Sequence, residues 1–333
     1  MSRVFRYLLR RLLQAVFVIW AAFTASFLAL YALPGDPVAI MLDSGTGEQG
    51  SASPQQIAAL RHQYGLDRPL PVQYLDHLRG ALHGDLGTSV RTGAPVLRTV
   101  LDAVPDSVSL AGVALVLAVL GGVGLALAAS AAGSVPLRRL LTNLPPLGVA
   151  LPTFWVGLLL VQAFSFRLRL LPAFGGDGVA GLVLPAVTLA MPTGAVLAQV
   201  FGRGLRDALA EPYLTTAAAK GVGRLGRVLH HAARNAVLPV LTVAGVLAGN
   251  LLAGTVVVET VFARDGLGRL TVSAVSTQDI PLVQGVVVFG ALVFVLVNLA
   301  VEVLCPVLDP RLVTRRRPVS RGTGRADVGT VVA

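Results

Sequence analysis

Residue types that do covalent or metal chemistry are sparse in this chain. Of 333 residues one is cysteine and five are histidine. His62, His77 and His83 do not fall at a metal-ligand spacing and read as surface histidines. Cys305 lies in an apolar run and reads as a small buried residue. A single cysteine excludes a disulfide framework and a cysteine-based metal site. The chain has one lysine, Lys220, and it is followed by Gly221 and Val222. A phosphate-cradling loop needs Lys followed by Ser or Thr, so no nucleotide is held by that route. No strongly ionisable residue sits at the centre of an apolar run, which leaves a proton relay without members. What remains is a mechanical candidate. Residues 211–239, EPYLTTAAAKGVGRLGRVLHHAARNAVLP, lie between two long uncharged runs, and six basic residues fall within 203–234. The stretch is too polar for lipid yet dense in Ala and Gly.

The elements around it are membrane spans. Hydrophobic residues make up 54% of the chain and charged ones 13%, against about 25% charged in a soluble domain. Mean hydropathy is +0.75. A chain this apolar uses lipid as its solvent. The net charge of +10 therefore belongs to membrane loops and not to a nucleic-acid surface. Charged residues punctuate the sequence. Between Arg11 and Asp36 lie 24 uncharged residues, between Asp106 and Arg138 31, and between Arg139 and Arg167 27. Between Asp177 and Arg203 lie 25, between Arg234 and Glu259 24, and between Asp279 and Glu302 22. A helix crosses a bilayer with about 20 residues, so six transmembrane helices are expected. Sustained period-two alternation is absent, which argues against a β-barrel.

The first run follows Arg3, Arg6, Arg10 and Arg11, exceeds a signal-peptide core in length and lacks a small-x-small cleavage site, so it reads as an uncleaved span with a cytoplasmic N-terminus. Alternation then places both termini inside. Cytoplasmic segments hold 18 of the 27 Lys and Arg, and external segments hold 12 of the 17 acids. The expected divisions are 1–33 (N-terminus and first span), 34–105 (external segment), 106–306 (core transmembrane domain with a cytoplasmic loop at 204–234) and 307–333 (basic cytoplasmic tail, disordered near anionic lipid).

Within the external segment, Ser53 and Pro54 open one short helix and 71–82 forms another. The segment has no dense core and must pack on its own membrane domain or on a partner. The second span carries GGVGLALAAS at 121–130, small residues that let helices approach closely. Pro145, Pro146, Pro152, Pro185 and Pro192 interrupt the third and fourth spans. They fit kinks around a pathway and mere packing irregularity equally well. Residues 259–279 read as a Gly-punctuated, turn-like loop.

The polar stretch itself divides. Residues 213–219 form a short helix, Gly221 and Gly223 break it, and 224–236 form a second helix leading into the fifth span. Three alanines at 217–219 keep the first helix thin enough for a groove, and Arg224, Arg227 and Arg234 suit an acidic partner or lipid phosphate. On these grounds alone the stretch is equally an ordinary amphipathic loop and a docking surface.

YLTTAAAKG at 213–221 followed by HAARNAVLP at 231–239 resembles the EAA loop of ABC importer permeases in its peptide-transporter form. Thr215 stands where that motif has a charged residue and Ala218 where it has Arg. RYLLRRLLQ, PGDP, GLDRPLPVQY, HGDLGTS, ETVFARDGLGRL and LDPR occur in order along nearly the whole chain. Together they resemble the first permease subunit of dipeptide and oligopeptide importers, the DppB/OppB type. The resemblance implies an all-α polytopic membrane protein of six transmembrane helices with the type I ABC importer fold. It implies a heterodimer with a homologous permease, two cytoplasmic ABC ATPase subunits that hold ATP and Mg, and an external solute-binding lipoprotein in a bacterial cytoplasmic membrane. It assigns coupling to Tyr213, Thr215, Thr216, Ala217, Ala219, Lys220, Gly221, Arg234, Asn235 and Pro239, with no catalytic, cofactor or metal site on this chain. Nickel chelates, haem or another small solute are the alternative cargo. A membrane-embedded enzyme or self-contained carrier would need polar residues in the spans that strongly ionisable types do not supply.

Overall fold

The computed structural model describes residues 3–32, 67–175 and 178–308, together with residues 55, 58 and 62. Of the helix expected from Ser53 only residues 55, 58 and 62 are described, each of them helical, and the tail after 308 lies outside the described residues.

Helix α1 is Arg3–Ala32, α2 is Leu70–Leu82 and α3 is Val96–Ala131. Then follow α4, Val135–Ala150, and α5, Thr153–Leu160, extended by a π-helical turn, Val161–Arg167. Helix α6 is Gly178–Leu209 and α7 is Pro212–Ala219. A single α-turn, Arg224–Gly226, and a π-helical segment, Arg227–Ala232, lead into α8, Ala233–Val261. Helices α9, Leu267–Ser276, and α10, Ile280–Leu308, complete the order. The described residues contain no strand beyond an isolated bridge between Thr88 and Pro95.

Among the described residues five helices are long and apolar enough to cross a membrane, and six if a bent pair counts as one span. The bent pair occupies the third uncharged run: α4 and α5 meet at 108°. The break falls at Leu151 and Pro152, both extended in ψ. Proline disfavours helix in the residue before it, and Pro152 serves as the residue preceding α5. Pro185 and Pro192, by contrast, lie inside continuous α6. Of the expected kinks, Pro152 therefore marks a full break, whereas Pro185 and Pro192 interrupt nothing.

Helices α3 and α6 form the centre of the bundle and pack most extensively, with α8 beside both and α4 on α6. Leu110, Ala114, Ala118, Leu197, Phe201 and Leu205 are almost wholly buried between them. Small residues make this possible: a Cβ on Gly122 would stand 2.5 Å from the Gly194 carbonyl oxygen. Backbones in such contact gain dispersion, which drives helix association where lipid removes the hydrophobic term.

Helix α1 packs on α10 at the edge. Helix α2 lies on α1: Tyr74 Oη and Thr24 Oγ1 are 2.8 Å apart, and Tyr74 packs against Phe23 and Phe27 with centroids 5.7 and 5.4 Å away. This part of the 34–105 segment packs on its own membrane helix.

The 259–279 region differs from the turn-like loop expected. Helix α8 continues to Val261 and α9 fills 267–276. Glu259 is fully buried. Its carboxylate accepts from Gly268 N at 2.7 Å and Arg269 N at 3.2 Å, and Ser107 Oγ donates to it at 2.6 Å. Leu267 N in turn donates to Ser107 Oγ at 2.8 Å. The first three amides of α9, orphaned in any helix, are thus satisfied by side chains from α8 and α3. A Cβ on Gly268 would meet the Val256 backbone at 2.4 Å, so only glycine lets α9 sit this close. Arg264 bonds Asp106 at 2.6 Å. Nearby, buried Asp279 caps α10 through Leu282 N at 3.3 Å, accepts from Val90 N at 3.3 Å, and holds Ser89 Oγ.

Candidate coupling elbow

At the opposite end of α8 the chain makes a sharp elbow. Helix α7 begins with extended Glu211 and Pro212 in its first turn, where proline's fixed φ and missing N–H cost nothing. It ends after Ala219. Gly221 adopts φ +84°, its amide donates to the Ala218 carbonyl at 3.0 Å, and Val222 N donates to the Ala217 carbonyl at 3.1 Å. These two bonds and the left-handed glycine are a Schellman ending, which satisfies carbonyls the helix would leave open. Gly223 is extended and opens the next turn. The expected helix, glycine break and second helix are all present, but the second helix is not uniform. Arg227–Ala232 is π-helical, a wide turn that occurs chiefly at functional positions.

One residue anchors α7. Leu214 is 1% exposed and joins Val228, Ala232 and Ala236 in the main core. The rest of the helix is presented outward: Tyr213, Thr216, Ala219, Lys220 and Gly221 are exposed and Ala217 is half-buried. Thr215 is on α7, and nothing further is described for its side chain. Arg234, Asn235 and Pro239 are exposed on the first turns of α8. The fold brings two of these residues together: Asn235 Nδ2 donates to Tyr213 Oη at 3.0 Å, tying α7 to α8. Lys220 and Gly221 stand at the tip of the bend.

The arginines divide. Arg224 Nε donates to the Ser130 carbonyl at 3.0 Å, clipping the elbow onto the last turn of α3, where a cation also complements the helix dipole. Arg227 is half-buried with no partner for Nε. Arg234 is exposed. The exposed surface is thin and cationic, with Lys220, Arg224 and Arg234 facing outward. Among the described residues no cluster of three His, Cys, Asp or Glu could hold a metal. His83 Nδ1 lies 2.8 Å from the Arg79 carbonyl, and His77 packs 6.4 Å from Phe27.

Two structural groups escaped sequence reasoning. The Glu259–Ser107–α9 junction sits within ETVFARDGLGRL, and the Asp279–Ser89 junction joins α10 to HGDLGTS. Those strings carried a resemblance but no role, since the partners lie 152 and 190 residues apart.

Comparison with known proteins agrees over most of the chain. The family model "Binding-protein-dependent transport system inner membrane component" matches residues 100–314, and the N-terminal model of the same systems matches 4–111. A probable peptide ABC transporter permease protein of Sinorhizobium fredii is 35% identical over 92% of this chain and 98% of its own length. The glutathione transport system permease proteins of Salmonella typhimurium and Escherichia coli K12 are 37% and 35% identical over the same shares. With a polytopic helical bundle and an exposed elbow already in place, these matches settle the class: the chain belongs to the family of binding-protein-dependent transport system inner membrane components, the membrane permeases of ABC transporters.

Proposed function

We propose that this chain forms half of the translocation pathway for di- and oligopeptides in an ATP-driven importer of a bacterial cytoplasmic membrane. A homologous permease supplies the other half. Two cytoplasmic ATPase subunits bind ATP and Mg, and an external solute-binding lipoprotein delivers cargo. Both termini and the 204–234 loop face the cytoplasm, and residues 34–105 lie outside. The membrane core spans 106–306 and the basic tail 307–333. The observation that carries the cargo is the peptide and glutathione naming of relatives matched along 98% of their length; glutathione is itself a tripeptide.

The coupling role rests on the elbow. Tyr213, Thr216, Ala217, Ala219, Lys220 and Gly221 are presented to an ATPase groove, with Thr215 on the same helix. Arg234, Asn235 and Pro239 pass the displacement into α8. Nucleotide-driven closure of the ATPases moves α7, and the Tyr213–Asn235 bond together with buried Leu214 conveys the push to the span.

Uptake in a strain lacking the chromosomal permease tests both parts. The wild type restores growth on dipeptides, with metal chelates as the control cargo. Gly221→Arg inserts but loses ATPase co-purification and uptake. Wild-type uptake by that variant with its ATPase still bound would refute the coupling role, and uptake of chelates in place of peptides would refute the cargo.

A further inference from the structure

The fifth span, Pro239–Val261, has Asn250 at its centre. Asn250 is exposed, while its neighbours Leu251 and Val258 face the core at 3% and 1% exposure. No described residue accepts or donates a hydrogen bond to its amide. About 11 residues separate it from either end of the span, some 16 Å of helix at 1.5 Å per residue. Other exposed amides in the spans escape to the interface: Asn143 and Gln162 lie within two turns of Arg139 and Arg167. Asn298 donates to the Phe294 carbonyl at 2.8 Å. Asn250 does neither, and a bare amide in hydrocarbon carries the full desolvation cost of its donors and acceptor.

The face it belongs to is continuous. At 100° per residue, Asn235, Pro239, Val246, Asn250 and Val257 fall on one side of α8, all exposed. The face thus runs from the elbow, where Asn235 holds Tyr213, to the far end of the span. These five residues are uncharged, with one amide at the elbow, Asn235, and one at mid-span, Asn250. A surface of that kind cannot select side chains by charge. At mid-span the Asn250 amide offers both a donor and an acceptor, the complement of a peptide bond.

We propose that Asn250 lines the translocation pathway at mid-membrane and hydrogen-bonds the main-chain amides of passing peptides. This rests on the peptide-importer reading above. It makes α8 the element that both receives the push at the elbow and handles cargo, and it accounts for recognition that tolerates varied side chains.

Cys305 is the only cysteine, so a Cys305→Ala, Asn250→Cys double variant in the assembled complex gives a clean probe. A small charged methanethiosulfonate reagent should modify Cys at 250, and a saturating tripeptide should slow the reaction several-fold. Asn250→Leu should still assemble with the second permease and the ATPases, yet lower peptide uptake about tenfold, roughly the worth of one hydrogen bond. That loss should be equal for peptides with different side chains, and Asn250→Gln should recover part of it. Absence of labelling, or wild-type uptake by Asn250→Leu, would overturn the proposal. Failure of Asn250→Leu to assemble would instead assign the amide to a subunit joint and overturn it too. Labelling that peptides do not slow, in a complex that moves no peptide, would sink the peptide reading and the identified occupant while leaving residue 250 in an aqueous path.

Discussion

The two ends of α8 are built on opposite principles. At its C-terminal end Glu259 is fully buried, and its carboxylate holds Ser107 and two amides of α9. Asp279 repeats the device on α10. At its N-terminal end the elbow is exposed, hangs from one buried side chain, Leu214, and is tied by single exposed hydrogen bonds at Tyr213 and Arg224. A buried, multiply bonded carboxylate resists rearrangement because every alternative strands it in low dielectric. An exposed hydrogen bond exchanges with water at little cost. One end of the span is therefore held by many buried bonds and the other by few exposed ones, the asymmetry on which the proposed lever rests.

The largest expected effect is at the fixed end. Glu259→Ala strands Ser107 and two α9 amides, and each buried group left without its partner costs about 1–3 kcal/mol. A lower melting temperature and a reduced yield of purified complex would register it. If Glu259→Ala were as mild as changes at the elbow, the contrast between the ends would fail. Gly221→Ala comes next. Holding a Cβ at φ +84° costs about 1–2 kcal/mol, and nothing lies within 4 Å of that Cβ, so the strain is purely conformational. The melting temperature should fall slightly while uptake falls more. Tyr213→Phe is smaller still. It removes one half-exposed bond worth at most about 1 kcal/mol, leaving the fold intact and the coupling between ATP hydrolysis and uptake weakened.

The smallest effect concerns α2. Burial holds the His77 pKa below its ordinary 6.5, opposed by neighbouring Asp76 and by Gln284. The folded state favours the neutral ring, so this contribution is complete above about pH 6.5 and is lost as pH falls below it. Protease sensitivity of the α1–α2 contact should rise on acidification in the wild type and change less in His77→Gln.

The spans were legible because lipid punishes charge: five of the six uncharged runs hold one continuous apolar helix, and the third holds the pair broken at Pro152. The elbow was legible because a left-handed ending demands glycine, and Gly221 stood where the alanines stopped. Helix α9 was not legible. Its caps come from Glu259 and Ser107, and a Glu flanking an apolar run reads as a loop residue until its partners are seen. The π-helical segment at 227–232 leaves no compositional mark. Asn250 carries no charge and so does not punctuate its run, although its central place there is plain in the sequence.

The most direct test of the lever is a photoreactive residue in place of exposed Thr216 in the intact assembly, irradiated with and without ATP. Capture of an ATPase subunit, with an efficiency that changes on nucleotide binding, is the expected result. Capture of the external binding protein alone, or of no ATPase in a complex that still transports, would contradict it.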